Sequence, residues 1–255
     1  MRYAIKSIAA FFVVLGYYFL APWVYIALAL WAVLPTKDRA AKTRALQRTL
    51  QRCFRGLHAT TRLLRIQRYV PSAPPELPTP CVLVANHPTL MDVTAVLATI
   101  PHTVTVVKPR VFRISFLGTV LRRAGYLEGP ERSSAALAEM MTQAEERLAQ
   151  GYNVLIFPEG TRSPAGQVLP FSRAAFEIAC RAKVPVVPIV IECTPPWLSK
   201  ELPIYSIPRG TAQMTIDFLA PQDPADVDYK SRALRDNIRN VIVDHLPPSS
   251  VSSSP

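Results

Sequence analysis

The hydrophobic pattern opens on a long apolar block and then changes rhythm twice. Between Lys6 and Lys37 lie 30 residues without a formal charge, more than the ~20 that cross a hydrocarbon core as a helix. Residues 1–36 are therefore expected to be embedded in a membrane. Pro22 falls near the middle of the run and removes a backbone hydrogen bond there, so the run reads either as one spanning helix or as two shorter helices in a re-entrant hairpin. Tyr17, Tyr18, Trp23, Tyr25 and Trp31 supply rings suited to the headgroup level. A cleavable signal peptide is the rival reading, with Met1 to Lys6 as its basic start and Ala27-Leu28-Ala29 as its cleavage site. Against it, the stretch is about twice as long as the usual apolar core of ~7–15 residues, and cleavage would export a strongly basic segment.

The second rhythm is helical. Across 37–70, Leu46, Leu50, Phe54, Leu57 and Leu64 recur at three- and four-residue steps, interrupted at Thr61, with Arg44, Arg48, Arg52, Arg55 and Arg62 around that stripe. This predicts a basic amphipathic helix, lying on an anionic leaflet or packed against the core, and long arginine side chains allow both. From Pro80 onward, short apolar runs alternate with helical stretches. Strands are expected at 81–85, 103–107, 153–157, 184–191 and 212–218, and helices at 88–99, 133–150, 172–182 and 226–245. That alternation predicts an α/β domain over 71–246, its sheet flanked by helices, followed by a disordered Ser/Pro-rich tail at 247–255.

Composition sharpens this division. Residues 1–68 hold 12 Lys/Arg against one acid, Asp38, whereas 69–255 hold 17 of each sign, so the whole net charge of +11 sits in the first quarter. A nucleic-acid-binding domain carries its basic surface on the folded body. Here the body is neutral and the basic part adjoins the apolar block, which points to anionic membrane lipid and not to nucleic acid. Seven Lys/Arg between Lys37 and Arg55 predict the inner membrane, with the body on its cytoplasmic side. The four cysteines, Cys53, Cys81, Cys180 and Cys193, form no CxxC or Cys/His pattern. They read as free thiols in a reducing compartment, and no metal is expected.

Two motifs fall where strands end, the usual ligand edge of an open α/β sheet. Asn86-His87-Pro88-Thr89-Leu90-Met91-Asp92 leaves the first strand. A histidine whose second nitrogen is held by a carboxylate has its tautomer fixed and can take a proton from a hydroxyl. Alone, the pair also fits a structural histidine near a helix N-terminus. No GxSxG elbow accompanies it, so direct attack by a substrate hydroxyl is favoured over an acyl-enzyme. The second motif, Phe157-Pro158-Glu159-Gly160-Thr161-Arg162-Ser163, follows the 153–157 strand. Its glycine, hydroxyls and guanidinium suit an anion, although a loop salt bridge fits too. His58, His102 and His245 have no comparable partners and read as interfacial, loop and helix-end residues.

NHPTLMD, then FPEGTRS some 70 residues on, then VPVVPIVI, together resemble the glycerolipid acyltransferase family, that of the 1-acyl-sn-glycerol-3-phosphate acyltransferases, over roughly residues 80–195. The resemblance implies His87 as general base, Asp92 as its orienting partner, and Asn86, Glu159, Gly160, Thr161 and Arg162 as acceptor-binding or site-forming residues. It also implies Pro188 on the acyl side and Lys108 near an acceptor phosphate. The family further carries an arginine shortly after a Gly-aromatic turn. Gly125-Tyr126 match that turn, but Leu-Glu-Gly-Pro-Glu follows and Arg132 comes late. The implied reaction moves a fatty acyl group from acyl-CoA or an acyl carrier protein, as co-substrate and without a further cofactor, to 1-acyl-sn-glycerol-3-phosphate. The departure after Tyr126 leaves open another hydroxyl acceptor, such as an ornithine lipid precursor or a specialised lipid. A noncatalytic lipid-binding membrane protein on the same fold is the alternative from a different class.

Overall fold

Residues 82–85, 153–156 and 186–191 are nearly all apolar and buried, as strands covered on both faces must be. In a computed structural model, which describes residues 23–72, 76–131, 133–164, 166–203, 206–208 and 210–246, they form the centre of a seven-stranded sheet. Its strands are β1 (Gln67–Pro71), β2 (Val82–Ala85), β3 (Thr103–Val107), β4 (Leu127–Glu128), β5 (Asn153–Ile156), β6 (Val186–Thr194) and β7 (Ala212–Phe218), in the order β1-β7-β6-β2-β5-β3-β4. All neighbours are parallel except β6 and β7, so β1 and β7 run against the other five.

Helices cover both faces. The helix at 23–33 (α1) and α2 (Arg39–Leu63) precede the sheet; α3 (Asp92–Thr99), α4 (Pro109–Phe112), α5 (Ser115–Arg123), α6 (Ser134–Ala149), α7 (Ala174–Ala182) and α8 (Ser231–His245) follow in turn. Side chains alternate along β2. Val82 and Val84 join the cluster built on Ala144, Phe176 and Ile238 of α6, α7 and α8, while Leu83 joins Ala95 and Val96 of α3. The chain thus leaves β2 for one face and β5 for the other. Neighbouring strands whose connections part in this way leave a crevice at their C-terminal ends.

Several expectations need correction. The helix expected at 88–99 begins only at Asp92, because Pro88 to Met91 form a turn bonded to the Asp92 carboxylate. The stretch 226–245 divides into a 3₁₀ turn at Pro224–Val227, left-handed Asp228 and Tyr229, and α8. The basic helix stops at Leu63, and Gln67–Pro71 enters the sheet as β1 beside β7. Its apolar stripe packs on the body, with Leu46 and Leu50 buried, while Arg44, Arg48, Arg52, Arg55 and Arg62 stay exposed.

The apolar block up to residue 22, Arg132 and the tail at 247–255 lie outside the described residues. Among the described residues, no helix is long and apolar enough to cross a membrane.

Candidate active site

The site is assembled at the C-terminal ends of β2 and β5, in the crevice defined above. Asn86, the first residue past β2, is 2% exposed and bonds both backbone groups of Ile191: its Nδ2 donates to the carbonyl at 2.9 Å, and its Oδ1 accepts from the N–H at 2.7 Å. The amide thereby extends the β2–β6 ladder by one rung and fixes the exit angle of His87.

His87 Nδ1 lies 2.8 Å from Asp92 Oδ2. An ionised carboxylate only accepts hydrogen bonds, so Nδ1 carries the proton and Nε2 presents its lone pair. Nε2 has no hydrogen-bond partner among the described residues, and the ring retains 17% exposure, so a substrate proton can reach it. Asp92 is fully buried and also accepts from the Thr89 backbone N–H at 2.8 Å and from the Thr89 hydroxyl. Burial pushes its carboxyl pKa up, against the pull of His87 and Thr89. The Phe157 ring backs the imidazole at 4.4 Å between centroids.

The second motif grips the first from across 72 residues of chain. Glu159 Oε1 accepts the His87 backbone N–H at 2.9 Å, Oε2 accepts the Leu169 N–H at 2.7 Å, and Ser163 N–H donates to the His87 carbonyl at 2.9 Å. Burial raises the Glu159 pKa, opposed by the Leu169 and His87 N–H groups. Gly160 sits at φ +67°, the left-handed region that favours glycine, and its N–H closes the turn on the Phe157 carbonyl. Thr161 follows, half-buried.

Arg162 Nη1 donates to the carbonyls of Leu198, at 2.8 Å, and Ser199, at 3.1 Å; its Nε and Nη2 have no partner among the described residues. The Leu90 N–H shares the Leu198 carbonyl at 3.1 Å. The segment around Leu198, which the sequence reading did not single out, is therefore clamped to both motifs. Lys108 is exposed just past β3, at the same edge of the sheet. Pro188, by contrast, is buried inside β6 opposite Val84.

Two further residues bear on the chemistry. Cys193, near the end of β6, has its thiol pushed up to about 11 by burial, with the Asp92 charge adding to the effect. It stays protonated at neutral pH and is a poor nucleophile. His58, expected at an interface, is 4% exposed: its Nε2 lies 3.2 Å from Thr94 Oγ1, which in turn donates to the Met91 carbonyl, in the turn between His87 and Asp92, at 2.8 Å. Because the single Thr94 hydroxyl proton goes to Met91, His58 must donate from Nε2, which is the neutral tautomer with Nδ1 bare. Burial lowers its pKa to about 4.

A mixed α/β sheet with a carboxylate-held histidine at a strand-end crevice defines a protein equipped for proton abstraction from a hydroxyl. Comparison with known proteins narrows the class. The sequence pattern of the acyltransferase family matches residues 63–192. The chain is 30% identical to human 1-acyl-sn-glycerol-3-phosphate acyltransferase beta over 163 residues, covering 61% of this chain and 59% of that protein. It is also 30% identical to the mouse alpha enzyme over 175 residues, covering 66% and 61%. It therefore spans only about three fifths of the length of these relatives. A crystal structure of the 1-acyl-sn-glycerophosphate acyltransferase PlsC from Thermotoga maritima shares the fold, with a TM-score of 0.73 at 24% identity over 94% of this chain and 96% of that one. The chain belongs to the acyltransferase family, as its ordered motifs imply.

Proposed function

We propose that the protein is a membrane-bound O-acyltransferase that moves a fatty acyl group from a thioester, acyl-CoA or acyl carrier protein, to 1-acyl-sn-glycerol-3-phosphate, giving phosphatidic acid. The observation that carries the reading is His87 Nε2, which has no partner among the described residues, with Nδ1 held by buried Asp92. The acceptor hydroxyl gives its proton to Nε2 as its oxygen attacks the thioester carbonyl. The tetrahedral intermediate collapses with cleavage of the C–S bond, and the imidazolium returns the proton to the departing thiolate. General-base help of this kind contributes roughly 10²–10⁴ in rate. The protonated Cys193 thiol speaks for direct transfer without an acyl-cysteine.

In this reading Glu159 positions the backbone of His87, while Nε and Nη2 of Arg162 and the Lys108 ammonium meet the acceptor phosphate. The apolar N-terminal block and the exposed arginines of α2 seat the domain on the anionic cytoplasmic leaflet of the inner membrane. One observation favours a different hydroxyl acceptor, such as an ornithine lipid precursor. Glu128, within the departure after Tyr126, pairs in register with Val107, the residue before Lys108, and so brings a carboxylate to the flank where a phosphate would bind.

The test is transfer of labelled acyl groups from acyl-CoA and acyl carrier protein to lysophosphatidic acid, compared with uncharged alcohols, by wild type and His87→Ala in membranes. Wild-type turnover with lysophosphatidic acid, abolished in the variant, is expected. Turnover undiminished in His87→Ala would overturn the mechanism.

A further inference from the structure

The edge of the sheet opposite His87 carries a cavity of about 140 Å³ between α2, the end of α3 and the start of β3. The strands reach it before they reach the crevice at His87: Thr103 opens β3, whereas Lys108 lies just past its end. A five-residue strand rises roughly 16 Å, so the two sites are distinct.

Its chemistry is two-sided. Arg44 and Arg48, one helical turn apart, stand at its wall; among the described residues neither has a hydrogen-bond or acidic partner and no acid lines the cavity. Two guanidinium groups at such spacing suit phosphate oxygens. Beside them, Gln47 donates to the Ala124 carbonyl at 2.7 Å and ties this wall of the cavity to the end of α5. The ligand chemistry that suits the two guanidinium groups is that of an anion. The remaining wall is apolar, from Phe54, Leu97, Ile100 and Tyr126.

The neighbourhood of the cavity indicates where such a ligand comes from. Tyr25 of α1 packs against the same core cluster as Tyr126. Lys42 fastens α1 to α2, donating to the Leu34 carbonyl at 2.5 Å with its ammonium 5.2 Å from the Trp31 ring centroid. On α1, Trp23 and Leu30 are 69% and 64% exposed. A hydrocarbon surface therefore adjoins a cationic cavity, an arrangement that fits an amphiphile and not a free ion.

We propose that this cavity binds the headgroup of an anionic phospholipid, its phosphate on Arg44 and Arg48, with the tails lying along α1. The site is separate from acyl transfer and does not depend on which acceptor that reaction uses.

The test uses the full chain in zwitterionic detergent, titrated calorimetrically with dihexanoyl-phosphatidylglycerol, dihexanoyl-phosphatidylcholine and inorganic phosphate. The double variant Arg44→Gln/Arg48→Gln is compared with Arg123→Gln/Arg232→Gln, which removes the same charge from exposed positions of α5 and α8 outside the cavity. Saturable binding of phosphatidylglycerol is expected in the wild type and in the control variant. The cavity variant should bind roughly tenfold or more weakly, the loss expected for charge-assisted contacts. Equal weakening in both variants would mean diffuse surface charge and overturn the site. Binding of inorganic phosphate as tight as phosphatidylglycerol would overturn the lipid assignment in favour of a simple anion site. Equal binding of phosphatidylcholine would remove the role of net charge. Because the readout is binding, the result stands whether or not lysophosphatidic acid proves to be the acceptor.

Discussion

Asp92→Asn changes one carboxylate oxygen for an amide nitrogen and almost nothing of the side chain's shape, so it separates the electrostatics of the dyad from its packing. In the wild type the carboxylate has no exposed surface and accepts from His87 Nδ1, the Thr89 N–H and the Thr89 hydroxyl. Its pKa is raised by burial. A raised pKa in the fold means that the native chain binds this proton more tightly than the unfolded chain does. The ionised group therefore subtracts from stability as pH rises through the shifted value, and at neutral pH the amide escapes that cost. Against this, the variant loses hydrogen bonds to a charged acceptor, worth about 1.5–3 kcal/mol. The two effects oppose each other, so unfolding free energy should stay within about 2 kcal/mol of wild type. Activity has no such compensation. An amide nitrogen facing Nδ1 requires that nitrogen to be unprotonated, which moves the proton to Nε2 and removes the base. A loss of about 10²–10⁴ in kcat/KM is expected, or about 3–5 kcal/mol of transition-state stabilisation. Thermal unfolding and single-turnover acyl transfer on the same preparation read both quantities. A variant that folds normally and turns over near the wild-type rate would refute the assignment of Asp92.

Arg162→Ala should raise the acceptor KM about 10- to 150-fold while leaving the thioester KM nearly unchanged, and Arg162→Lys should restore only part of it, since a point charge cannot replace the fork. Equal KM values in wild type and Arg162→Ala would show that the guanidinium serves only to hold Leu198 and Ser199. For His58, the folded pKa of about 4 lies below the ordinary 6.5, so the unfolded chain takes up a proton that the folded chain refuses. Stability is full above pH 6.5 and falls by about 3 kcal/mol as pH drops towards 4. Denaturant unfolding of His58→Asn across that window should give a flatter profile than wild type, and parallel profiles would remove His58 as the source of the acid sensitivity.

The central strands were legible because each is a short apolar run bounded by turn residues, and both motifs were legible because they sit where those runs stop. What escaped has a common cause, which is dependence on partners far away in the chain. Gln67–Pro71 has no strong alternation of its own and becomes a strand only beside Ala212–Ile216. Leu127–Glu128 is two residues long and exists through its pairing with Val106 and Val107. The clamp of Arg162 on Leu198 and Ser199 joins loops with no pattern to mark them. His58 is different, because the signal was present. Leu50, Phe54, His58 and Thr61 follow one another at helical steps, so His58 belongs to the buried stripe, and reading it by residue type instead of by position placed it at an interface.

The topology explains why two motifs some 70 residues apart act as one. β2 and β5 are neighbours, yet α3 leaves β2 on one face and α7 leaves β5 on the other. The loops between strand and helix are therefore drawn apart above the sheet while their first residues remain side by side. His87 and Glu159 lie within those first residues, just past Ala85 and Ile156 respectively. The bond from the His87 N–H to the Glu159 carboxylate, with the Ser163 N–H returning to the His87 carbonyl, closes the gap that the diverging helices open. Neither bond touches the imidazole. Together they fix the backbone on which it turns, while Asp92, at the first position of α3, fixes the ring itself. In the proposed mechanism one motif thus supplies the reactive atom and the other its frame, which is why each alone is a weak signal and the ordered pair is specific.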